Sequence, residues 1–564
     1  MKTPDLSHGA ATRDPASFTE ILHAPDRVGH YKPADLRALA DEMADQPDTV
    51  KDGADPEENF LVPAGYTYFG QFIDHDLTFD STSSLDFSSS SAPSNTRTPR
   101  FDLDCLYGDG PDAQPFMYDG AKLLFKNDPP LPGPLDVAGK DLTRNALGRA
   151  IIGDKRNDEN SIVSQIQLSF IKYHNAVVDA LMTRPQATWN APHQLFESAR
   201  NEVRWTYQRL VVEDFLPRIV HAEVFANLKN KSTGQRERNY AFYTEDLRSN
   251  LPREFVAAAY RFGHSGVRPG YRMNAGIDNR FEIFPSSKNP TPNAGALSLL
   301  GFDPVTNNQV IDSWERFFPD TEPLAPVTED RSAAADETKR DVVRLQFAYK
   351  LDPTLVDPMG ALPVEQIAGV GTTAQAAAMI APTALPSTAP IPPTAALPTR
   401  PSLALLNLLR GDIYGIQGGQ AFAKVLIGKG FPCKLLTHRQ LAIRGPGTQT
   451  NHFKFKQISG DMQHDTPLWF YVLAEAQAPL ADKFGGPDGT DEFNETELLT
   501  GDGAKTQLGW VGGRIVAEVF YGLLDSDAES YVNAAPLGWK PMFATANAPV
   551  IFRSLLKFAD PSNA

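Results

Sequence analysis

The chain has 564 residues, 41% of them hydrophobic, and a formal net charge of −16 at pH 7. That much apolar material supports a large core and argues against overall disorder, while the acidic balance argues against nucleic acid or an anionic membrane as a partner. No run of about 18 apolar residues is available to span a bilayer, and the N-terminal MKTPDLSHGAATRDPAS has no apolar centre for a secretory signal.

The expectation is therefore a soluble protein, cytoplasmic or exported without a recognisable signal peptide. Residues 1–60 are polar and hold one predicted helix, ADLRALADEMAD (34–45); they read as an arm wrapping a body that runs from 61 to 564. Residues 70–80, GQFIDHDLTFD, follow. On a helix, Gln71 and His75 share a face, and Asp74 and Asp76 point elsewhere. Three ionisable groups in one turn of a largely apolar segment need partners, because burying them unpaired costs several kcal/mol. Residues 81–97 are serine-rich and read as a loop. In TPRFDLDCLYG (98–108) an extended chain would aim Asp102 and Asp104 to one side. With the Thr98 hydroxyl and nearby carbonyls, this is a set of hard oxygen ligands of the kind Ca²⁺ takes. Cys105 and Cys433 are the two cysteines and read as buried thiols rather than a bridge.

GDKRNDEN (153–160) spaces Arg156 and Glu159 three apart, directly before a strong helical period over 161–181, marked by Ile162, Ile166, Phe170, Val177 and Leu181. EFVAAAYRFGHSGV (254–267) starts as a helix and meets Gly263 and Gly266, which would let a flat group approach the backbone beside His264. Residues 371–400, rich in Ala, Thr and Pro, read as a surface insertion of polyproline character. Helices are predicted over 403–415, ending near Gly411, and over 420–428 and 512–524. Strand patterns are few and short, and the fold class expected is mainly α. Of the eleven histidines, His174 reads as a structural hydrogen-bonder and His464 as a helix-start cap; His75 and His264 stand apart.

Taken together, these segments resemble the animal-type haem peroxidase superfamily, the group of myeloperoxidase and lactoperoxidase, over about residues 60–540. GQFIDHD is similar to its distal helix, GDKRNDEN to its catalytic arginine segment and AYRFGH to its proximal histidine motif. LLNLLRG resembles the helix below the haem, and GWVGGRIVAEVFYGLL a late helix of the family. The resemblance implies a helical fold around haem b, with His264 as the iron ligand, Asn407 accepting from its other ring nitrogen, Arg410 at a propionate and Arg261 supporting that side. It implies His75 as the distal base, Arg156 as the charge stabiliser and Gln71 as holder of a distal water or halide. It implies ester links to haem through Asp74 and Glu159, and Ca²⁺ held by Asp76, Thr98, the Arg100 carbonyl, Asp102 and Asp104. Each ionisable group of the 70–80 turn then has its own partner. Asn160 stands where myeloperoxidase has a methionine that bonds to haem, so that third link is not expected, and thiocyanate, iodide, bromide or phenolic donors are favoured over chloride.

Two other readings compete. Fatty-acid dioxygenases of the same superfamily carry a radical-forming tyrosine three residues before the proximal histidine. Here Arg261 holds that position and Tyr260 lies one residue earlier, about 100° away on an α-helix. An adhesion protein that merely kept the fold would be expected to lose His75 or Arg156, and both are present.

Overall fold

The computed structural model describes residues 16–24, 27–44, 55–79, 94–125, 139–184, 192–228, 238–248, 250–274, 280–284, 298–320, 345–360, 362, 402–458, 460–544 and 550–561. The 371–400 segment and most of the serine-rich stretch lie outside them.

Helices form the bulk of the molecule, and strands are two to six residues long among the described residues. Helix α1 (Pro33–Met43) follows Lys32, with proline at its first position, where a missing N–H costs nothing. It buries Leu36, Leu39, Ala40 and Met43. Strand β1 (Glu58–Pro63) leads directly into α2 (Gly65–Leu77). The start of α2 is pressed so close to the Phe317–Phe318 backbone and ring that a side chain at Gly65 would clash. Its far end stops at Thr78, whose N–H and hydroxyl both return to the Asp74 carbonyl.

The 98–108 segment departs from the extended chain expected. Leu103 takes a left-handed conformation (φ 60°) and a single helical turn, α3 (Asp104–Tyr107), follows. Asp102 and Asp104 are brought together by this reversal rather than by strand alternation. Gly153 packs on the same turn; a Cβ there would lie 2.6 Å from the Asp104 carbonyl oxygen, so the 98–108 and 153–160 segments meet backbone to backbone.

Helix α4 (Ser161–Met182) follows the predicted period, with Ile162, Ile166, Phe170, Tyr173 and Val177 fully buried. It is capped by Asn160, whose side-chain oxygen accepts from the Ile162 and Val163 amides at 3.1 and 2.9 Å. Helix α5 (Pro192–Leu210) runs into a π-helical turn, Val211–Phe215, that turns Phe215 inward. Phe69 and Phe72 of α2, Phe170 of α4, Tyr207 of α5 and Phe552 form one aromatic cluster, with Phe72 and Phe170 stacked 4.9 Å apart. His174 of α4 is buried between the Tyr107 hydroxyl and the Ala121 carbonyl, a structural role.

The 254–267 segment splits. Helix α6 (Arg253–Ala257) breaks at Ala258, and Ala259–His264 continues as a tighter 3₁₀ helix. Strand β2 (Phe347–Tyr349) pairs antiparallel with β1, Glu58 opposite Tyr349. Helix α7 (Leu403–Ile413) runs through Gly411, two residues beyond the predicted end, and packs on α1 and α6. Helix α8 (Gly419–Gly428) precedes the antiparallel strands β3 (Ala442–Pro446) and β4 (His452–Gln457). Helices α9 (Leu468–Phe484) and α10 (Trp510–Ser526) pack together, and α11 (Phe552–Ala559) lies on α4. His464 does not cap α9; it trails the short turn Gly460–Gln463 and packs its ring on His438, because Pro467 occupies the cap position. Both cysteines are buried and unbridged.

Candidate active site

A cavity of about 380 Å³ lies between α2 and the 259–264 turn. Gln71, Asp74 and His75 reach it from α2, and Arg156, Glu159 and Asn160 from the turn before α4. Tyr260, Arg261, Gly263 and His264 form the opposite wall, closed by apolar side chains that include Phe215, Phe284, Met359 and Leu403. Asn407 and Arg410, on α7, are not in the wall itself.

His75 is buried, and its Nδ1 lies 2.7 Å from Asn157 Oδ1, while its Nε2 lies 3.7 Å from Glu159 Oε1. Burial, then the nearby Arg156 charge, lowers its proton affinity to a pKa of about 4. Burial acts on Glu159 in the opposite sense and pushes its carboxyl up to about 7. Gln71 Nε2 donates to Glu159 Oε1, and Asn160 Nδ2 donates to Gln71 Oε1 at 3.1 Å. Asn160 thus serves two elements, capping α4 with its oxygen and orienting Gln71 with its nitrogen.

The Arg156 guanidinium is held by Asp154 through Nε and Nη2. Its Nη2 also donates to the His75 and Thr78 carbonyls at the end of α2, and its face lies over Phe79 at 4.8 Å. These bonds pin the arginine segment to α2. Asp154, gripped by Arg156 and Arg97, is held well below the usual carboxylate range.

On the other wall, His264 Nδ1 lies 2.8 Å from Asn407 Nδ2, and Asn407 Oδ1 accepts from Arg261 Nη1 at 3.3 Å. The amide therefore donates toward the imidazole. The acceptor role expected of Asn407 requires the amide turned by 180°, which sets its nitrogen against the guanidinium. Burial, with Arg261 and Arg410 nearby, pushes His264 down to about 3. Burial and Arg410 also push Arg261 down to about 10. Arg410 has no carboxylate partner among the described residues, so two guanidiniums on this side share an unmet demand for an anion. Tyr260, in the 3₁₀ turn, also lines the cavity and donates from its hydroxyl to the Gly70 carbonyl at 3.1 Å.

A second cluster lies behind α2. Carboxylate oxygens of Asp76, Asp102 and Asp104 all come within 4.8 Å of one another. Asp76 is fully buried and neither of its oxygens makes a hydrogen bond of good geometry. Burial and the two neighbouring carboxylates push its proton affinity well up. The Thr98 hydroxyl donates to Asp102 at 2.6 Å, and Arg97 pairs with Asp104 at 3.1 Å. Arg100 donates from its amide to the Thr98 carbonyl, and its guanidinium faces Asp527 at 3.8 Å.

Against known proteins, the sequence model described as animal haem peroxidase matches residues 92–304. Over that stretch, somewhat more than a third of its length, the chain is similar to the animal haem peroxidase family. It is 28% identical to thyroid peroxidase of Sus scrofa over 140 residues, a quarter of this chain and 14% of that protein. It is 26% identical to chorion peroxidase of Aedes aegypti over 171 residues, 29% of this chain and 21% of that one. The matched stretches thus span well under half of these curated relatives. In fold it is similar to peroxidase A of Dictyostelium discoideum, with a TM-score of 0.51 and 14% identity over 92% of this chain and 88% of that one. The mainly α architecture is shared with that structure.

Haem, the group this family implies, fits the residues present: two neutral imidazoles stand in facing walls of one cavity, and two guanidiniums lie on one side of it. The three-carboxylate cluster likewise fits a hard divalent cation, because among the described residues no cationic side chain pairs with Asp76 and neither of its oxygens makes a hydrogen bond of good geometry. Sequence reasoning missed Asn157 and Gln167. Asn157 sat inside the family motif as an unremarked residue, and Gln167 within a helical period as an ordinary polar position. The only available signal was a buried amide on the α4 face that also carries Ser164 and Ile171.

Proposed function

We propose that this chain is a haem peroxidase, reducing H₂O₂ and oxidising a small donor. The observation that carries the reading is the pair His75 and His264 across one cavity, each with an asparagine on its Nδ1. Bound haem would supply the iron at which peroxide is reduced and the oxidising equivalents passed to the donor. His264 would hold the iron, with Asn407 behind it. Arg261 and Arg410 would meet the propionates.

His75 is uncharged at neutral pH and can act as a base. Its Nε2 accepts the proton from peroxide and returns it to the leaving oxygen, which departs as water. Arg156 opposes the negative charge that builds on that oxygen. Gln71, oriented by Asn160, holds a water or small anion beside His75. Asp74 and Glu159 are the candidates for ester links to the cofactor. Asp76, Asp102 and Asp104, with Thr98 and the Arg100 carbonyl, hold structural Ca²⁺. The donors proposed are thiocyanate, iodide, bromide or phenols.

The test is to load the purified chain with haem and add H₂O₂ with guaiacol. A Soret band with guaiacol oxidation that disappears in His264→Ala is the result expected; haem uptake without any peroxide consumption would overturn the reading. Tyr260 in the cavity wall supports a second reading, a fatty-acid dioxygenase. Oxygen uptake with linoleate, lost in Tyr260→Phe, would favour it.

A further inference from the structure

We propose that Asn157 and Gln167 form a relay that positions His75, holding its proton on Nδ1 so that the Nε2 lone pair faces the cavity. The inference rests on the peroxidase reading for its purpose, and on geometry for its existence. Asn157 and Gln167 are both fully buried, and neither lines the cavity. Asn157 comes from the turn Lys155–Asp158, directly after Arg156, and Gln167 from the second turn of α4. The chain of contacts runs His75 Nδ1 to Asn157 Oδ1 at 2.7 Å, then Asn157 Nδ2 to Gln167 Oε1 at 2.9 Å.

Each link constrains the next. An asparagine oxygen can only accept, so the imidazole proton must lie on Nδ1. Asn157 cannot turn over alone, because its nitrogen already donates to Gln167 and its oxygen would then face the Gln167 acceptor. Reversal requires both amides to turn together and the imidazole to move its proton to Nε2, the atom that must accept from peroxide. Asn157 is in turn fixed at its backbone, where its N–H donates to the Asp154 carbonyl at 3.1 Å. Asp154 is the residue that grips Arg156. One short turn therefore sets the orientation of the base and of the charge-stabilising guanidinium. Gln167 is fully buried and its Nε2 makes no hydrogen bond among the described residues, so the relay ends inside the core. It orients the imidazole and carries no proton out of the site. Asn157 and Gln167 are thus positioning residues and touch no reacting atom.

The decisive readout is the tautomer of His75, taken from ¹⁵N-histidine spectra of the full chain at neutral pH. Spectra would be recorded before and after loading with diamagnetic zinc protoporphyrin, with His75→Gln for assignment. The unaltered chain should show Nδ1–H. Asn157→Leu, similar in shape but without an acceptor, should shift His75 toward Nε2–H. In the haem-loaded form the same variant should lower kcat/KM for H₂O₂ by about 10²-fold or more, the scale of general acid–base help. Asn157→Asp keeps the acceptor and should restore the Nδ1–H signature and most of the rate. Gln167→Leu frees the Asn157 amide to turn and should give a mixture of tautomers. A His75 that carries its proton on Nε2 in the unaltered chain overturns the relay, whether or not any variant folds. So does an Asn157→Leu chain with an unchanged tautomer. Should the Nδ1–H tautomer be found in a chain that consumes no peroxide, the relay stands and the peroxidase reading falls.

Discussion

His75 and His264 are both imidazoles denied a proton by burial, yet their surroundings differ. Beside His75 stands one guanidinium, already bound to Asp154 and to backbone carbonyls; beside His264 stand two that crowd each other. The first arrangement suits a base and the second a ligand next to an anionic group. His75→Ala should keep haem but slow the reaction with H₂O₂ by about 10²–10⁴-fold, measured by stopped-flow. An unchanged rate rejects the distal role. Asp74 and Glu159 both line the cavity, so haem should resist acid–butanone extraction after peroxide turnover. Asp74→Ala and Glu159→Ala should each weaken that resistance, and the double variant should release free haem. At this scale the motif residues were legible because their spacing puts Gln71 and His75 on one helical face, and Arg156 one turn before Glu159. Tyr260 lies 120° from Arg261 in the three-residue winding of Ala259–His264, rather than the 100° reckoned on an α-helix. Asn157 was invisible because its partners come from α2 and α4, and sequence spacing does not report a contact across 82 residues.

Between elements, the carboxylate cluster ties α2 to the turn at Leu103. With Ca²⁺ bound there as proposed, its removal would leave Asp76 buried beside two like charges, so chelation should lower the melting temperature and the peroxidase rate together. Intact stability and rate after verified metal removal would reject the site. Another carboxylate, half-buried, acts across helices: Glu475 of α9 accepts from the Val511 and Gly512 amides that open α10. Burial raises its pKa from 4.5 to about 7. The native chain then binds more protons than the unfolded one between those values, so this contribution is full below 4.5 and is lost as pH rises through about 7. Glu475→Gln keeps an acceptor without the charge. Its stability relative to the unaltered chain should improve with pH, by on the order of 1–3 kcal/mol at mildly alkaline pH, read from thermal melts. The helices were legible in proportion to their apolar period: α4 and α10 lie close to where the pattern put them. The 98–108 turn was not, because nothing in F-D-L-D announces a leucine with positive φ.

For the molecule as a whole, the described residues 27–44 dock on the body. Helix α1 rests on α7, the Tyr31 amide donates to the Asp412 carboxylate, and Arg27 pairs with Asp465 ahead of α9. Few apolar residues do the docking: Leu36, Leu39 and Met43 are the large ones. Deletion of residues 1–44 should cost on the order of 5 kcal/mol of burial. Because α7 carries Asn407 and Arg410, it should also weaken haem retention, measured by transfer of haem to apomyoglobin. Retention equal to that of the full chain would show the helix to be dispensable.

Asp76 follows His75 directly, so on the proposed function one stretch of helix would present neighbouring residues to two different ligands. Any ordering of that helix by one ligand lowers the entropy that the other must overcome, and such coupling is reciprocal. Haem loading should therefore tighten Ca²⁺ by the same factor by which Ca²⁺ tightens haem. A peroxidase arranged in this way can serve as a calcium gauge: at a fixed, limiting supply of cofactor, its occupancy reports the free ion concentration around it.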